Sequence, residues 1–134
     1  MVKEMNIKLN QKVLKSQQVG LALVFGSQII GSKHSKSDID IGIVFLNNKR
    51  KQKPVDVYGT LHEEFVKKFK TENIDIVYLE DSPLSLQYKA VRDGVVLYEI
   101  SPSFFADYKE KVLKMYFDFK FIEDIFNQAI IKPA

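Results

Sequence analysis

The 134-residue chain contains no cysteine. That absence excludes disulfides and thiolate-bound metals, and it fits a reducing compartment. No apolar stretch approaches the roughly 18 residues needed to cross a bilayer. The first residues, MVKEMNIKLNQKVLK, lack the compact apolar core of a secretory leader. A cytoplasmic protein without membrane contact is therefore expected. A strong excess of one charge is missing too: the formal net charge is +3. That is too small for a dedicated DNA-binding protein, and no stable nucleic-acid complex is expected. Repeats, low-complexity tracts and long linkers are also lacking. What is present is a chain that is 46% apolar, which argues against global disorder and for one domain with a real core.

The modest charge is unevenly spread. Residues 1–50 hold eight Lys/Arg against three acids, and residues 51–134 hold twelve against fourteen. A basic first part suits a phosphate-bearing ligand. Lysines solvated on helix faces account for it equally well.

Periodicity gives the order of elements. Asn10 to Gln18 reads as a short polar helix with Val13 and Leu14 on one side. LALVF (21–25) is a buried strand closed by Gly26, and Ser27 can cap a short helix to about Ile30. After the polar loop 33–37, DIDIGIVF (38–45) reads as a strand. The basic segment 47–54 is a surface loop. From Val55 to Lys70 the pattern turns helical, with Tyr58, Leu61, Phe65 and Phe69 at three- and four-residue steps. NIDIVYLE (73–80) is a further strand. A helix follows from Pro83 to about Arg92, with Gly94 at its C′ position. VVLYEI (95–100) is the last strand. Pro102 then opens a long amphipathic helix whose apolar side is Phe105, Tyr108, Val112, Met115, Tyr116 and Phe119. Residues 121–131 either continue it or form a separate helix. Such alternation predicts an α/β or α+β fold, a sheet with helices packed on it.

Two aspartates interrupt an apolar strand at its head. Aspartate is a poor strand former, yet Asp38 and Asp40 stand one residue apart and so point to the same face. NIDIV repeats the device with Asp75 between Ile74 and Ile76. If the two strands are neighbours, three carboxylates converge at one end of the sheet. They then call for a cation, and an all-oxygen donor set suits Mg²⁺ or Mn²⁺. A lone Asp at a strand start is more often a turn or cap residue. Asp40 weakens that explanation because it lies inside the strand, a local conflict of the kind found at functional sites. Gly26–Ser27, between a buried strand and a helix start, would offer backbone N–H groups to a phosphate. A Gly-Ser after a strand is by itself usually a plain turn.

Taken together the spacing is G-S-x10-D-x-D, followed by a strand Asp after a crossover helix. From Leu21 to Leu79 this resembles the nucleotidyltransferase superfamily with the DNA polymerase β-like fold. More narrowly, the chain is similar to the minimal nucleotidyltransferases (MNT), the antitoxin half of HEPN–MNT toxin–antitoxin pairs. SPLSLQYKAVRDGVVLYEISP (82–102) is a softer likeness to the family's helix, glycine and V-L-Y-E strand. The resemblance implies a single domain over 1–134, with a catalytic core at about 20–80 and a helical part at about 82–134. Its sheet would be small and mixed, flanked by helices and closed by a C-terminal amphipathic helix.

The resemblance also implies a chemistry. AMP passes from ATP to an acceptor and pyrophosphate leaves. Gly26 and Ser27 would hold the triphosphate. Asp38 and Asp40 would bind two Mg²⁺ ions, with Mn²⁺ as the second choice. Asp75 would bind one of them and orient or deprotonate the attacking hydroxyl. In the antitoxins (type VII systems) that hydroxyl belongs to a tyrosine of the cognate HEPN RNase toxin, which makes the toxin the expected partner. The aromatic helix Phe104 to Phe119 is a candidate surface for it, although such a stripe is more often core. Where many relatives carry Arg, this chain has Ile30. Lys33 and Lys36 are candidates to replace it, with solvated loop lysines as the default. His34 and His62 read as surface histidines. Two alternatives stay open: a nucleotidyltransferase with a small-molecule or nucleic-acid acceptor, and a non-catalytic antitoxin that occludes its toxin.

Overall fold

A computed structural model describes residues 9–26, 39–46 and 54–131. Four helices and four strands lie among them: α1 (Gln11–Ser16), β1 (Val19–Phe25), β2 (Ile39–Phe45), α2 (Pro54–Phe69), β3 (Ile74–Tyr78), α3 (Leu84–Asp93), β4 (Val95–Glu99) and α4 (Phe104–Ile131). A single 3₁₀ turn, Leu79–Asp81, follows β3 and takes the last residues of the predicted strand. The predicted helix after Ser27 and the loops at 33–37 and 47–53 lie outside the described residues.

The strands form one mixed sheet in the order β3-β2-β1-β4. β1 is antiparallel to both β2 and β4, whereas β2 and β3 are parallel. Parallel neighbours need a long crossover, and α2 supplies it. Strand alternation divides the apolar residues between two faces. Val24, Ile41, Ile43, Ile74 and Ile76 pack with Leu14 of α1 and with Leu61 and Phe65 of α2. Leu21, Leu23, Phe25 and Val44 pack with Ala90 and Val91 of α3 and with Tyr108 and Val112 of α4. Both sheet faces are covered, which is why β1 is buried along its whole length and reads as a continuous apolar run.

Polar contacts fix the helices. Asn10 caps α1, its side chain accepting from the Lys12 N–H. The Asn10 N–H in turn donates to Glu64 Oε2 at 2.9 Å, so the buried Glu64 ties α1 to α2. Glu99 Oε1 accepts from the Phe105 N–H at 3.0 Å at the start of α4. The Phe104 ring occupies the space a side chain at Gly20 would need.

Two expectations are refined. Gly94 ends α3 with φ −74°, so its backbone is not left-handed. Glycine is needed there for space, because a Cβ would press on the Ala90 carbonyl, Leu23 and the Val24 carbonyl. Residues 121–131 continue α4 as one 28-residue helix.

Candidate active site

One end of the sheet gathers the C-terminus of β1 and the N-termini of β2, β3 and β4. Phe25 pairs with Asp40 across the antiparallel ladder, and Val24 pairs with Val95. Asp40 pairs with Asp75 across the parallel ladder. The Ile39 N–H donates to the Asn73 carbonyl at 2.8 Å, and this bond holds β2 and β3 in that register.

Alternation then decides where the carboxylates point. Ile39, Ile41, Ile74 and Ile76 all belong to the α1–α2 side. Asp40 and Asp75 project from the opposite face, the one that carries α3 and α4. Neighbouring strands lie about 4.8 Å apart, so two acids in register at adjacent strand heads repel each other. Asp40 is half-buried and Asp75 is exposed.

Gly26 completes the arrangement. Its φ is +104°, a conformation that glycine adopts freely and other residues resist. A Cβ built on it would lie 2.6 Å from Asp40 Oδ2. Glycine is thus required twice over, by the backbone turn and by the carboxylate beside it. Gly42, two residues beyond Asp40 on the same face, was not singled out from the sequence. A Cβ there would meet Leu79 Cδ1 at 2.8 Å and the Phe25 ring at 3.2 Å. Its bare backbone lets these two side chains close under Asp40. The signal was available, since a glycine inside an apolar strand often marks such a close approach.

Gly26, Asp40 and Asp75 are therefore brought together. Ser27 and Asp38 lie outside the described residues, as do Ile30, Lys33, His34 and Lys36. His62 stacks on the Tyr58 ring of α2, with ring centres 5.9 Å apart, on the helix that covers the other face of the sheet. Among the described residues no group of three or more His, Cys, Asp or Glu gathers as a metal site. The donor set that is described, two carboxylates in register on one face, fits a hard oxygen-seeking cation. At the same end of the sheet, Arg92 grips Asp93 through two hydrogen bonds of 2.9 Å. That contact holds the Asp93 carboxyl below its usual range.

A family model described as polymerase beta nucleotidyltransferase matches residues 8–103. No curated protein matches the chain significantly. Several solved structures share the fold. A toxin–antitoxin crystallised with AMP-PNP has a TM-score of 0.65 and 20% identity, covering 91% of this chain and 95% of that one. The toxin–antitoxin MntA–HepT has a TM-score of 0.60 and 17% identity, covering 91% and 93%. A tri-AMPylated HEPN toxin in complex with its MNT antitoxin, from Shewanella oneidensis, has a TM-score of 0.58 and 19% identity, covering 91% and 92%. At these identities the likeness establishes the fold, while the family model covers well over half of the sequence. The chain belongs to the polymerase beta nucleotidyltransferase family.

Proposed function

We propose that this protein is the antitoxin of a HEPN–MNT pair and neutralises a HEPN-type RNase by transferring AMP from ATP to one of its tyrosines. The observation that carries the reading is the register of Asp40 with Asp75 beside Gly26. Two acids at the heads of adjacent strands, next to a glycine turn, make a poor structural feature and a good phosphoryl-transfer site. Three solved structures of the same fold bear on the specific activity. One was crystallised with an ATP analogue and one holds a tri-AMPylated toxin. A third was solved with two aspartates, spaced like Asp38 and Asp40, changed to glutamate.

Each residue then has a defined task. Gly26 turns the chain at the end of β1, and Gly26 and Ser27 are the residues assigned to the triphosphate, through backbone N–H groups and the Ser27 hydroxyl. Asp40 and Asp75, with Asp38, would hold Mg²⁺ or Mn²⁺, which when bound offsets charge on the triphosphate and on the leaving oxygen. Asp75, exposed at the rim, accepts the proton of the attacking tyrosine hydroxyl. A bond forms between the tyrosine oxygen and the α-phosphorus. The bond from that phosphorus to the bridging oxygen breaks, and pyrophosphate departs with the electron pair. Phosphoryl-type transfer asks of the protein mainly in-line positioning and charge stabilisation. Three carboxylates and a backbone cradle can supply both.

The test is a pair of labelled nucleotides. Incubated with Mg²⁺ and the HEPN-type protein encoded beside it, the protein should move label from α-labelled ATP to its partner. With γ-labelled ATP the label should appear in pyrophosphate instead. Transfer of the γ-label to the partner would mean kinase chemistry. Transfer of neither label, with protection intact, would favour simple occlusion.

A further inference from the structure

α4 is about 42 Å long at 1.5 Å per residue, and only its first half is covered. Tyr108, Val112, Met115, Phe119, Ile122 and Phe126 recur at alternating four- and three-residue steps. Tyr108 and Val112 are buried in the α3–α4 core. The ring contacts of α4 with α3 end at Tyr116 and Phe117, both against Tyr88. Beyond that point the same stripe emerges into solvent. Phe119, Ile122 and Phe126 on that stripe, and Phe117, Phe121 and Ile125 beside it, are each 52–66% exposed. Lys120 and Glu123, the partly covered pair among them, cover each other through a 3.0 Å ion pair.

A surface of this kind needs an occupant. Six half-exposed apolar side chains, most of them aromatic, amount to on the order of 500–700 Å². That lies at or above the upper end of the largest patch on a typical monomer, about 300–600 Å², and approaches the roughly 800 Å² that each side of a standard interface buries. A lone helical stretch of this length is marginal in water. The four–three spacing is the seam of helix-on-helix packing, so the complementary surface is a helix with its own apolar stripe.

Charge selects between occupants. Residues 117–131 carry Asp118, Glu123 and Asp124 against Lys120, in a chain whose net charge is +3. A second copy would set acid against acid. A protein that grips RNA must present lysine and arginine to phosphates, and such a surface complements this acidic flank. We infer that the Phe119–Ile122–Phe126 stripe is the docking face for an apolar, basic-flanked helix of the HEPN-type RNase. The inference rests on the antitoxin reading above.

The test is the affinity of the full-length protein for that RNase, measured by titration calorimetry. The variant is Phe119→Gln/Ile122→Gln/Phe126→Gln; glutamine keeps helix propensity, and circular dichroism checks that α4 persists. The expected result is at least about a 100-fold weaker complex, the loss typical of removing interface anchors. Asp40→Asn/Asp75→Asn runs beside it and should bind like wild type while losing transfer. Equal affinity of the stripe variant and wild type would overturn the docking face and leave the antitoxin reading intact. A wild-type dimer that the stripe substitutions convert to monomer would give the face to a second copy and also overturn the inference. A wild type that neither binds nor labels the RNase would overturn the antitoxin reading, and the inference with it.

Discussion

Asp40 and Asp75 stand opposite one another in the parallel β2–β3 ladder, each the second residue of its strand. Neither is placed there by the core, since their neighbours in sequence are the isoleucines that pack against α1 and α2. Asp75 is exposed, so Asp75→Asn should change stability by no more than about 0.5 kcal/mol. The same change should lower AMP transfer by about 10²–10³-fold, because the carboxylate's charge and proton-accepting power are both lost. Denaturant melts and initial rates on one preparation check both halves.

Gly26→Ala should fail in two ways. At φ +104° an alanine is strained by about 1–2 kcal/mol. Its Cβ would also displace the Asp40 carboxylate, whose Oδ2 lies 2.6 Å from that position. Transfer should therefore fall further than the stability loss accounts for. The comparison is the rate measured well below the variant's melting temperature.

Ligand linkage gives an independent check. Mg²⁺ with ATP at about 100 times its dissociation constant should stabilise the protein by about 2.7 kcal/mol. Asp40→Asn/Asp75→Asn should lose that gain, since the groups proposed to hold the ion are neutralised. Thermal melts with and without Mg²⁺–ATP measure the difference.

A buried phenol contributes to the loss of stability at alkaline pH. Tyr108 donates a 2.7 Å hydrogen bond to Gln87 Oε1. Burial first, and then the charge of Glu80, raise its ionisation above the ordinary value. A raised folded-state value means that this contribution to stability is complete below the unfolded value of about 10. It is lost as pH climbs from there through the folded value. Tyr108→Phe should cost about 0.5–1.5 kcal/mol at neutral pH, for the hydrogen bond. It should also make the loss of stability above pH 10 shallower. Tyr98, likewise raised by burial, retains part of that slope. Urea titrations across the alkaline range read both effects.

Much of the candidate site was legible because it violates local rules. Asp40 inside an apolar strand and Asp75 between two isoleucines conflict with propensity, and such conflicts stand out in sequence; Gly26 at a strand end gained meaning only from its spacing to them. The strand pairing that joins them was not readable, since periodicity gives faces but not neighbours. Gly42 was overlooked because its role is to leave room for Leu79 and Phe25, which only the packed sheet reveals. The stripe of α4 shows the limit most clearly. From Phe105 to Phe119 it reads as one apolar face, yet Tyr108 and Val112 are core while Phe119 is exposed. Spacing along a helix cannot tell where the rest of the protein stops.

The central claim is that the carboxylate pair transfers AMP to a protein partner. Intact-mass spectrometry of the HEPN-type RNase, after incubation with this protein, Mg²⁺ and ATP, tests it most directly. With the wild type the account predicts added mass in steps of one adenylyl group. With Asp40→Asn/Asp75→Asn it predicts no added mass, although the complex still forms. An unmodified partner with the wild type, or equal modification by the variant, would contradict it.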